Sequence, residues 1–455
     1  MFDINENELS EIELKELLEH IHHGDKEKLN EVIDNMYPID IAIALENYED
    51  EEILKFYELV NNELMAAIIE QADEDLQIRI INLFSYKNIV NIFSFMSKDD
   101  IADILGNLPI NLRKELLKLM KTGDTKEIQV LLGYEEDSAG GIMTTEYIAL
   151  KGDLTTGDAL KKIKTIGPKT EVIETIFVIN QSKELVGSAD LRDILIASEE
   201  TKLMDIIKDN IITVNPEVDQ EEVSKLVSKY DLKVIPVVNR RNNILGIITV
   251  DDIIDVIVEE HTEDILHLAG VSKEESVESS LGTSIKKRLP WLFVNLATAF
   301  LASFTVGLFE DVIAQVVALA AAMPIVAGMG GNSGTQALSV VIRGIALGDI
   351  ELKKGWKKVF KEIALGVING AATGLITGLI LYMKYGNPYL GVIIFVAMIG
   401  NLVIAGFFGF LIPLVLDKLG VDPALASAIF LTTATDVFGF FLFLGLAKAF
   451  LPLLL

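Results

Sequence analysis

The chain contains no cysteine. That removes disulfides, thiolate metal sites and thiol nucleophiles together. Basic residues are scarce beside acidic ones: 39 Lys and Arg stand against 67 Asp and Glu, a formal net charge of −28. Such a surface repels nucleic-acid phosphates, so no nucleic-acid partner is expected. It favours solubility and attracts cations instead. The start, Met1-Phe2-Asp3-Ile4-Asn5-Glu6, lacks the basic region and apolar core of a signal peptide, and the front part is expected to stay in the cytoplasm. No phosphate-binding loop, zinc signature or nucleophile arrangement occurs, so an enzyme is the least favoured reading.

What is present is segregated. Half the residues are hydrophobic, yet 23% are charged. From Lys286 to Leu455 there are 12 Lys/Arg and 8 Asp/Glu, so the rest of the chain carries a balance of −32. A bilayer core needs about 20 apolar residues per helix. Five stretches qualify, at 290–309, 313–341, 363–383, 389–416 and 424–450. Lys286, Lys287 and Arg288 precede the first, and Arg343, Lys353, Lys354, Lys357, Lys358 and Lys361 lie between the second and third. Positive residues stay inside. A multi-pass protein of the cell (plasma or inner) membrane is expected, with its N-terminal part cytoplasmic and its C-terminus outside.

Between Ala424 and Ala447 one charge stands alone, Asp436 in Thr432-Thr433-Ala434-Thr435-Asp436-Val437. A carboxylate at mid-bilayer costs about 2.5–3.5 kcal/mol on insertion scales. Asp436 therefore reads as part of an ion pathway; the alternative is a protonated acid hydrogen-bonded to Thr432 or Thr433. The second stretch contains Pro324 and the run Gly328-Met329-Gly330-Gly331-Asn332-Ser333-Gly334-Thr335-Gln336. Four glycines weaken a helix. Either a broken backbone lines a wet cavity with Asn332, Ser333 and Gln336, or small residues permit close packing. Gly370, Ala371, Gly374 and Gly378 read as packing. Asn401 fits either helix glue or a pore lining, and Thr435 is a further pore-lining candidate.

The acidic half divides in two. Residues 9–135 read as successive short amphipathic helices, with apolar residues three and four apart, suggesting a superhelical stack. Further on, a β-β-α pattern occurs twice. Val172–Ile179, Leu185-Val186-Gly187 and a helix from Leu191 are echoed by Leu232–Val238, Ile244–Thr249 and a helix from Asp251. The duplication resembles a pair of cystathionine-β-synthase (CBS) domains. In that family a hydroxyl residue followed three positions later by Asp often holds a nucleotide ribose. Thr249 and Asp252 match; the first unit has Asp190 at the hydroxyl position, with Arg192 and Asp193 following, an imperfect match. The resemblance thus implies ATP as a possible cofactor. The helix from Asp251 carries seven acids, and no Lys or Arg occurs between Arg241 and Lys273. Its like charges four apart repel, which asks for cations. His261 and His267 read as bystanders there.

The whole succession resembles the MgtE family of magnesium channels and transporters. The most specific parts are Gly133-Tyr134-Glu135-Glu136-Asp137-Ser138-Ala139-Gly140-Gly141-Ile142-Met143-Thr144, the Gly330-to-Gln336 run, Val421-Asp422-Pro423-Ala424 and Thr435-Asp436. The resemblance implies a mainly α, multidomain protein. Its parts would be an N-terminal helical domain (1–137), a tandem CBS pair (138–257), an acidic connecting or plug helix with linker (251–285) and a five-helix membrane domain (286–455). It implies a homodimer in the bilayer, with Mg²⁺ held at Asp436 in the pore. Regulatory Mg²⁺ would sit at Asp99, Asp103, Glu221, Asp231, Asp252, Asp255, Glu260, Glu263 and Asp264. Val258, acidic in some relatives, departs from the pattern. Rival readings are a proton- or sodium-coupled carrier and a membrane-anchored nucleotide sensor.

Overall fold

The computed structural model describes residues 11–272, 275, 277, 279–346, 350, 356–424 and 427–455. Lys353 and Lys354 lie outside them. The chain forms two compact units, Met1–Ile257 and Val258–Leu455.

In the first unit, short helices run from α1 (Glu11–His23) to α10 (Thr122–Leu131). The sequence sets their length by closely spaced caps. Asn61, Asp73, Ser85 and Ser97 each accept a backbone N–H at a helix start, an arrangement worth about 1 kcal/mol apiece. The expected stack of amphipathic helices is therefore present. The duplicated unit is present too. In the first copy β1 (Ala149–Lys151) pairs parallel with β2 (Thr175–Ile179), which pairs antiparallel with β3 (Leu185–Asp190). Between them lies α11 (Thr156–Ile166), and α12 (Leu191–Ile196) follows. The second copy has α13 (Gln220–Tyr230), β4 (Val234–Val238), β5 (Ile244–Thr249) and α14 (Val250–Leu268). Both hairpins shift register at the same place, Val178/Ile179 and Val237/Val238.

The helical stack and the second copy share one hydrophobic core, running from Leu17 through Ile101 and Leu105 to Val223, Ile235 and Ile253. The Gly133-to-Thr144 segment straps them together. Ala139 N–H donates to Val218 O at 2.7 Å and Gly140 N–H to Pro216 O at 2.9 Å. A Cβ on Gly140 would stand 2.5 Å from the Tyr134 ring, so glycine is required where the strap passes.

The second unit is helical: α15 (Leu281–Gly307), α16 (Glu310–Gln315), α17 (Ala318–Ala346), α18 (Trp356–Tyr385), α19 (Pro388–Lys418), α20 (Ser427–Ala449) and α21 (Leu451–Leu454). Among the described residues four helices are long and apolar enough to cross a membrane: α15, α18, α19 and α20. The fifth expected span, α17, has 29 residues, but its Gly, Asn, Ser, Thr and Gln residues lower its hydropathy. Of the two readings of this span, the packed helix is the one present: α17 stays helical through the whole Gly328-to-Gln336 run.

Small residues set the packing. On α18, a Cβ at Gly370 would lie 2.6 Å from Ile399 Cα, and one at Gly378 would lie 2.6 Å from Gly391 O. Both obstacles are backbone of α19, which cannot step aside. Gly370→Val is expected to destabilise the protein by ~3 kcal/mol or more, measurable as a lower midpoint in detergent thermal unfolding. An unchanged midpoint would refute the seam.

Candidate functional site

Three groups of polar residues stand out. The first lies on α17 and α20. Asp436 is partly exposed, and among the described residues no hydrogen bond or ion pair engages its carboxylate. The neighbouring hydroxyls are turned to their own helix: Thr432 Oγ1 donates to Ala428 O at 2.8 Å and Thr433 Oγ1 to Ile429 O at 2.7 Å. Neither donates to Asp436. Helix α17 has two distinct faces. Gly330 and Gly334 are buried, and Cβ atoms there would meet the Asn401 and Leu431 side chains at 2.4 and 2.8 Å. Gly328, Gly331, Asn332, Thr335 and Gln336 form the other side; the two glycines have nothing within 4 Å of an added Cβ, and Asn332, Thr335 and Gln336 are exposed.

Two pore-lining expectations are corrected. Asn401 is 0% exposed and donates from Nδ2 to Val326 O at 2.7 Å. Gly330 and Gly439 pack against its amide, so it joins α17, α19 and α20 from within. Thr435 is also 0% exposed and donates to Thr432 O at 3.0 Å. Neither side chain reaches a surface that an ion could touch.

The second group is a nest of carboxylates where α8 (Lys98–Asn107) meets the second β-β-α unit. Ser97 caps α8 and donates from Oγ to Asp100 Oδ2 at 2.5 Å, while its N–H donates to Glu70 Oε1 at 3.2 Å. Asp252, in the first turn of α14, accepts from Thr249 Oγ1 at 2.6 Å. Asp99 has a buried oxygen, Oδ1, without a hydrogen-bond partner. Lys98 supplies the nearby cation but is engaged by Glu127 at 2.7 Å and Glu146 at 3.4 Å.

Desolvation pushes the Asp99 carboxyl upward against hydrogen bonds from Thr144 and Ser97 and the charge of Lys98. Desolvation also raises Asp252, with the charges of Asp251 and Asp99 adding to it. Burial raises Asp100 to about 7 despite the Ser97 hydrogen bond. Desolvation, then the charges of Asp99 and Asp252, raises Glu171 to about 8. Asp103 is driven the same way by desolvation and by Asp99, Asp100, Glu136 and Asp252. Both Asp103 and Glu171 stand at the exposed rim, where water weakens the effect.

Each of these acids holds protons more tightly in this arrangement than when the parts are separated. The arrangement therefore loses stability as pH rises from the ordinary carboxylate range up to about 7 to 8, and regains it as pH falls back. A divalent cation would replace the missing protons. Removing the buried Asp99 charge should have the same direction. Asp99→Asn is expected to make the Mg²⁺-free protein more resistant to proteolysis at pH 8, by an amount reflecting ~1–3 kcal/mol of lost penalty. Digestion at the wild-type rate, with wild-type response to Mg²⁺, would refute this.

The remaining expected sites are dispersed. Glu221 follows the Asp219 cap of α13 and is paired with Lys225 at 2.8 Å. Asp231 is exposed in the left-handed conformation at φ 52° that ends α13. Asp255 is exposed, and Glu260, Glu263 and Asp264 are half-buried, along α14. Arg192 and Asp193 lie on α12, and no hydrogen bond or ion pair joins them to Thr249 and Asp252 among the described residues. Asp190, at the first unit's hydroxyl position, is engaged by Lys208 at 2.5 Å.

The third group was not foreseen. His267, read from the sequence as a bystander, places Nδ1 2.5 Å from Asp422 Oδ2 and 3.6 Å from Glu263 Oε1. His267 thus has a side-chain partner that its sequence neighbours did not indicate. The partners lie 155 positions apart in the case of Asp422, so no local spacing announced the contact.

Comparison with known proteins agrees with the order of these parts. Residues 323–446 match the MgtE divalent cation transporter family, residues 36–137 the MgtE intracellular N domain, and residues 139–200 and 203–259 the CBS domain. The magnesium transporter MgtE of Bacillus subtilis is 32% identical over 420 residues, 92% of this chain and 93% of that one. That of Thermus thermophilus is 32% identical over 445 residues, 96% and 98% of the two chains. Among solved structures, the cytosolic domain of the Mg²⁺ channel MgtE in complex with ATP is 30% identical with a TM-score of 0.51, covering 53% of this chain and 99% of that one. The soluble part of a magnesium transporter gives 27% identity and a TM-score of 0.52, covering 55% and 98%. These relatives are transporters and channels, not enzymes. With close to full-length similarity in both directions, this chain belongs to the MgtE family of divalent cation transporters.

Proposed function

We propose that this protein is a Mg²⁺-selective channel of the cell membrane that imports magnesium and closes when cytosolic Mg²⁺ rises. One observation carries the pore reading: Asp436 is a carboxylate within an apolar helix that is partly exposed and engaged by no protein group among the described residues. A lipid-facing position would leave that charge uncompensated. A second copy of the chain across a two-fold axis would place two such carboxylates at one portal. The small, polar face of α17, with Gly328, Gly331, Asn332 and Gln336, suits the same water-lined boundary. Mg²⁺ prefers six oxygens at about 2.0–2.1 Å and sheds its water slowly. Paired carboxylates accept hydrogen bonds from that water shell and hold the ion without stripping it. Monovalent cations gain about half as much from the same charges.

The basic flank Lys286, Lys287 and Arg288 supports a cytoplasmic N-terminal part, and five spans, counting α17, leave the C-terminus outside. The proposed domain division is 1–137, 138–257, 251–285 and 286–455.

The carboxylate nest supplies the feedback. Asp99, Asp103 and Asp252 offer the oxygen donors a hard cation takes: Asp99 Oδ1 is buried without a partner, and the charge of Asp99 repels both Asp103 and Asp252. Mg²⁺ stabilises whichever arrangement brings these acids together, since a ligand shifts an equilibrium only by its differential affinity. Asp255, Glu260, Glu263 and Asp264 extend the same logic along α14, and Glu221 and Asp231 along the second CBS unit. ATP at Thr249 and Asp252 rests on the CBS resemblance and on the ATP complex of the related cytosolic domain. Heat on titrating the full chain with ATP is expected; its absence would remove the nucleotide.

The transport reading is tested by current and flux in liposomes with Mg²⁺ varied separately on each face. Inward Mg²⁺ current suppressed by Mg²⁺ on the cytoplasmic face is expected. Flux that follows a proton or sodium gradient instead would favour a coupled carrier.

A further inference from the structure

We propose that Glu263, His267 and Asp422 form a binding site for a divalent transition-metal ion, chemically different from the all-oxygen sites that suit Mg²⁺. The site can be tested by binding alone and does not depend on the transport reading.

Glu263 and His267 are four residues apart on α14, so both side chains leave the same face of the helix. Asp422 comes from the turn between α19 and α20. One ligand atom from each residue lies within 4.8 Å of the others. His267 has only 11% of its side chain exposed, so the imidazole is held within protein rather than swinging in solvent. Asp422 is oriented as well: its Oδ1 accepts the Ala424 N–H at 2.8 Å, which leaves Oδ2 for the imidazole. An outer contact of this kind fixes a ligand and sharpens its affinity. Leu268, the next residue of α14, packs against the cluster of Leu338, Ile342, Ala424 and Leu431. The helix end is thereby seated beside the turn that carries Asp422.

One imidazole nitrogen and two carboxylate oxygens, with a water completing the shell, are a familiar set for Zn²⁺ and its neighbours. Bonds of about 2.0–2.2 Å in a tetrahedral shell set donors ~3.4 Å apart. The Glu263 separation of 3.6 Å already suits this, and Asp422 would withdraw by roughly 1 Å as the ion displaces its hydrogen bond. Imidazole favours Zn²⁺, Ni²⁺ and Co²⁺, whereas Mg²⁺ prefers oxygen and keeps its water. Mg²⁺ is therefore a weak competitor here. A bound ion would fasten the end of α14 to the α19–α20 turn, so a trace metal and Mg²⁺ would act on the same helix, sharing Glu263 but distinguished by the His267 imidazole.

The test uses the full chain in detergent, without an affinity tag, with His20, His22, His23 and His261 replaced by Gln. His267 is then the sole imidazole of the five histidines. Zn²⁺ titration in excess Mg²⁺ is expected to show one ion per chain, and X-ray absorption at the zinc edge to show one imidazole in its shell. Adding His267→Gln or Asp422→Asn should weaken binding about tenfold or more while the thermal midpoint is kept. Zinc bound without an imidazole, bound equally after His267→Gln, displaced by equimolar Mg²⁺, or not bound at all would overturn the proposal. Should His267→Gln unfold the protein, the absorption spectrum of the parent protein decides alone.

Discussion

Asp436→Ala is expected to abolish Mg²⁺ uptake in liposomes while leaving the protein folded and inserted. The size of the loss follows from two arguments. Hydrogen bonds to a charged group contribute about 1.5–3 kcal/mol each, and a two-fold portal loses one carboxylate from each subunit. Together that is on the order of a hundredfold or more in the ion's occupancy of the portal. Stability should move the other way. Asp436 has no protein partner to orphan among the described residues, and removing a mid-span carboxylate eases insertion by about 2.5–3.5 kcal/mol. The thermal midpoint in detergent should therefore hold or rise. Asp436→Asn keeps the shape and removes the charge, so it should fail as alanine does. Undiminished uptake in either variant would end the pore assignment.

The second large effect is expected from α14. Replacing Asp255 with Asn and Glu260 and Glu263 with Gln should leave inward current intact but let it persist at millimolar cytosolic Mg²⁺. Neutralisation also relieves repulsion between acids four apart, which favours the helix. That relief is only about 0.2–0.5 kcal/mol per pair. It is smaller than the loss of carboxylates able to bridge a dication, so loss of inhibition wins. Patch recordings with unchanged block by cytosolic Mg²⁺ would refute the role of α14, whatever the outcome at Asp436.

Much of the architecture was legible because it is written in local pattern. The short helices announce themselves by three-four spacing and by caps such as Asn61, Asp73, Ser85 and Ser97. The repeated β-β-α order needs only a comparison of Val172–Ile179 with Leu232–Val238. The glycine run of α17 left two readings open for a physical reason. A glycine costs a helix about 1 kcal/mol, and that term suggested a break. It is outweighed where Gly330 and Gly334 let α17 close on Asn401 and Leu431, and where the helical hydrogen bonds have little water to compete with them. Asn401 could be read either way and Thr435 was assigned to the pore, because polarity alone does not distinguish a side chain facing water from one joining helices.

The acid nest was only half visible. Asp99, Asp103 and Asp252 came with the family resemblance, but Glu70, Asp100, Glu146 and Glu171 did not. They arrive from separate segments, and only the shared core of the helical stack and second CBS unit brings them together. The pairing of His267 with Asp422 was illegible for the same reason.

The glycine-lined contact of α18 with α19 has a consequence for how the membrane unit moves. Where backbone touches backbone, no side chain can change rotamer to absorb displacement, and sliding by a fraction of an ångström meets hard repulsion. These two helices must travel as one plank. Any widening of an ion path then falls to the joints around that plank, where Leu431 and other pliable side chains fill the gap and can reseat.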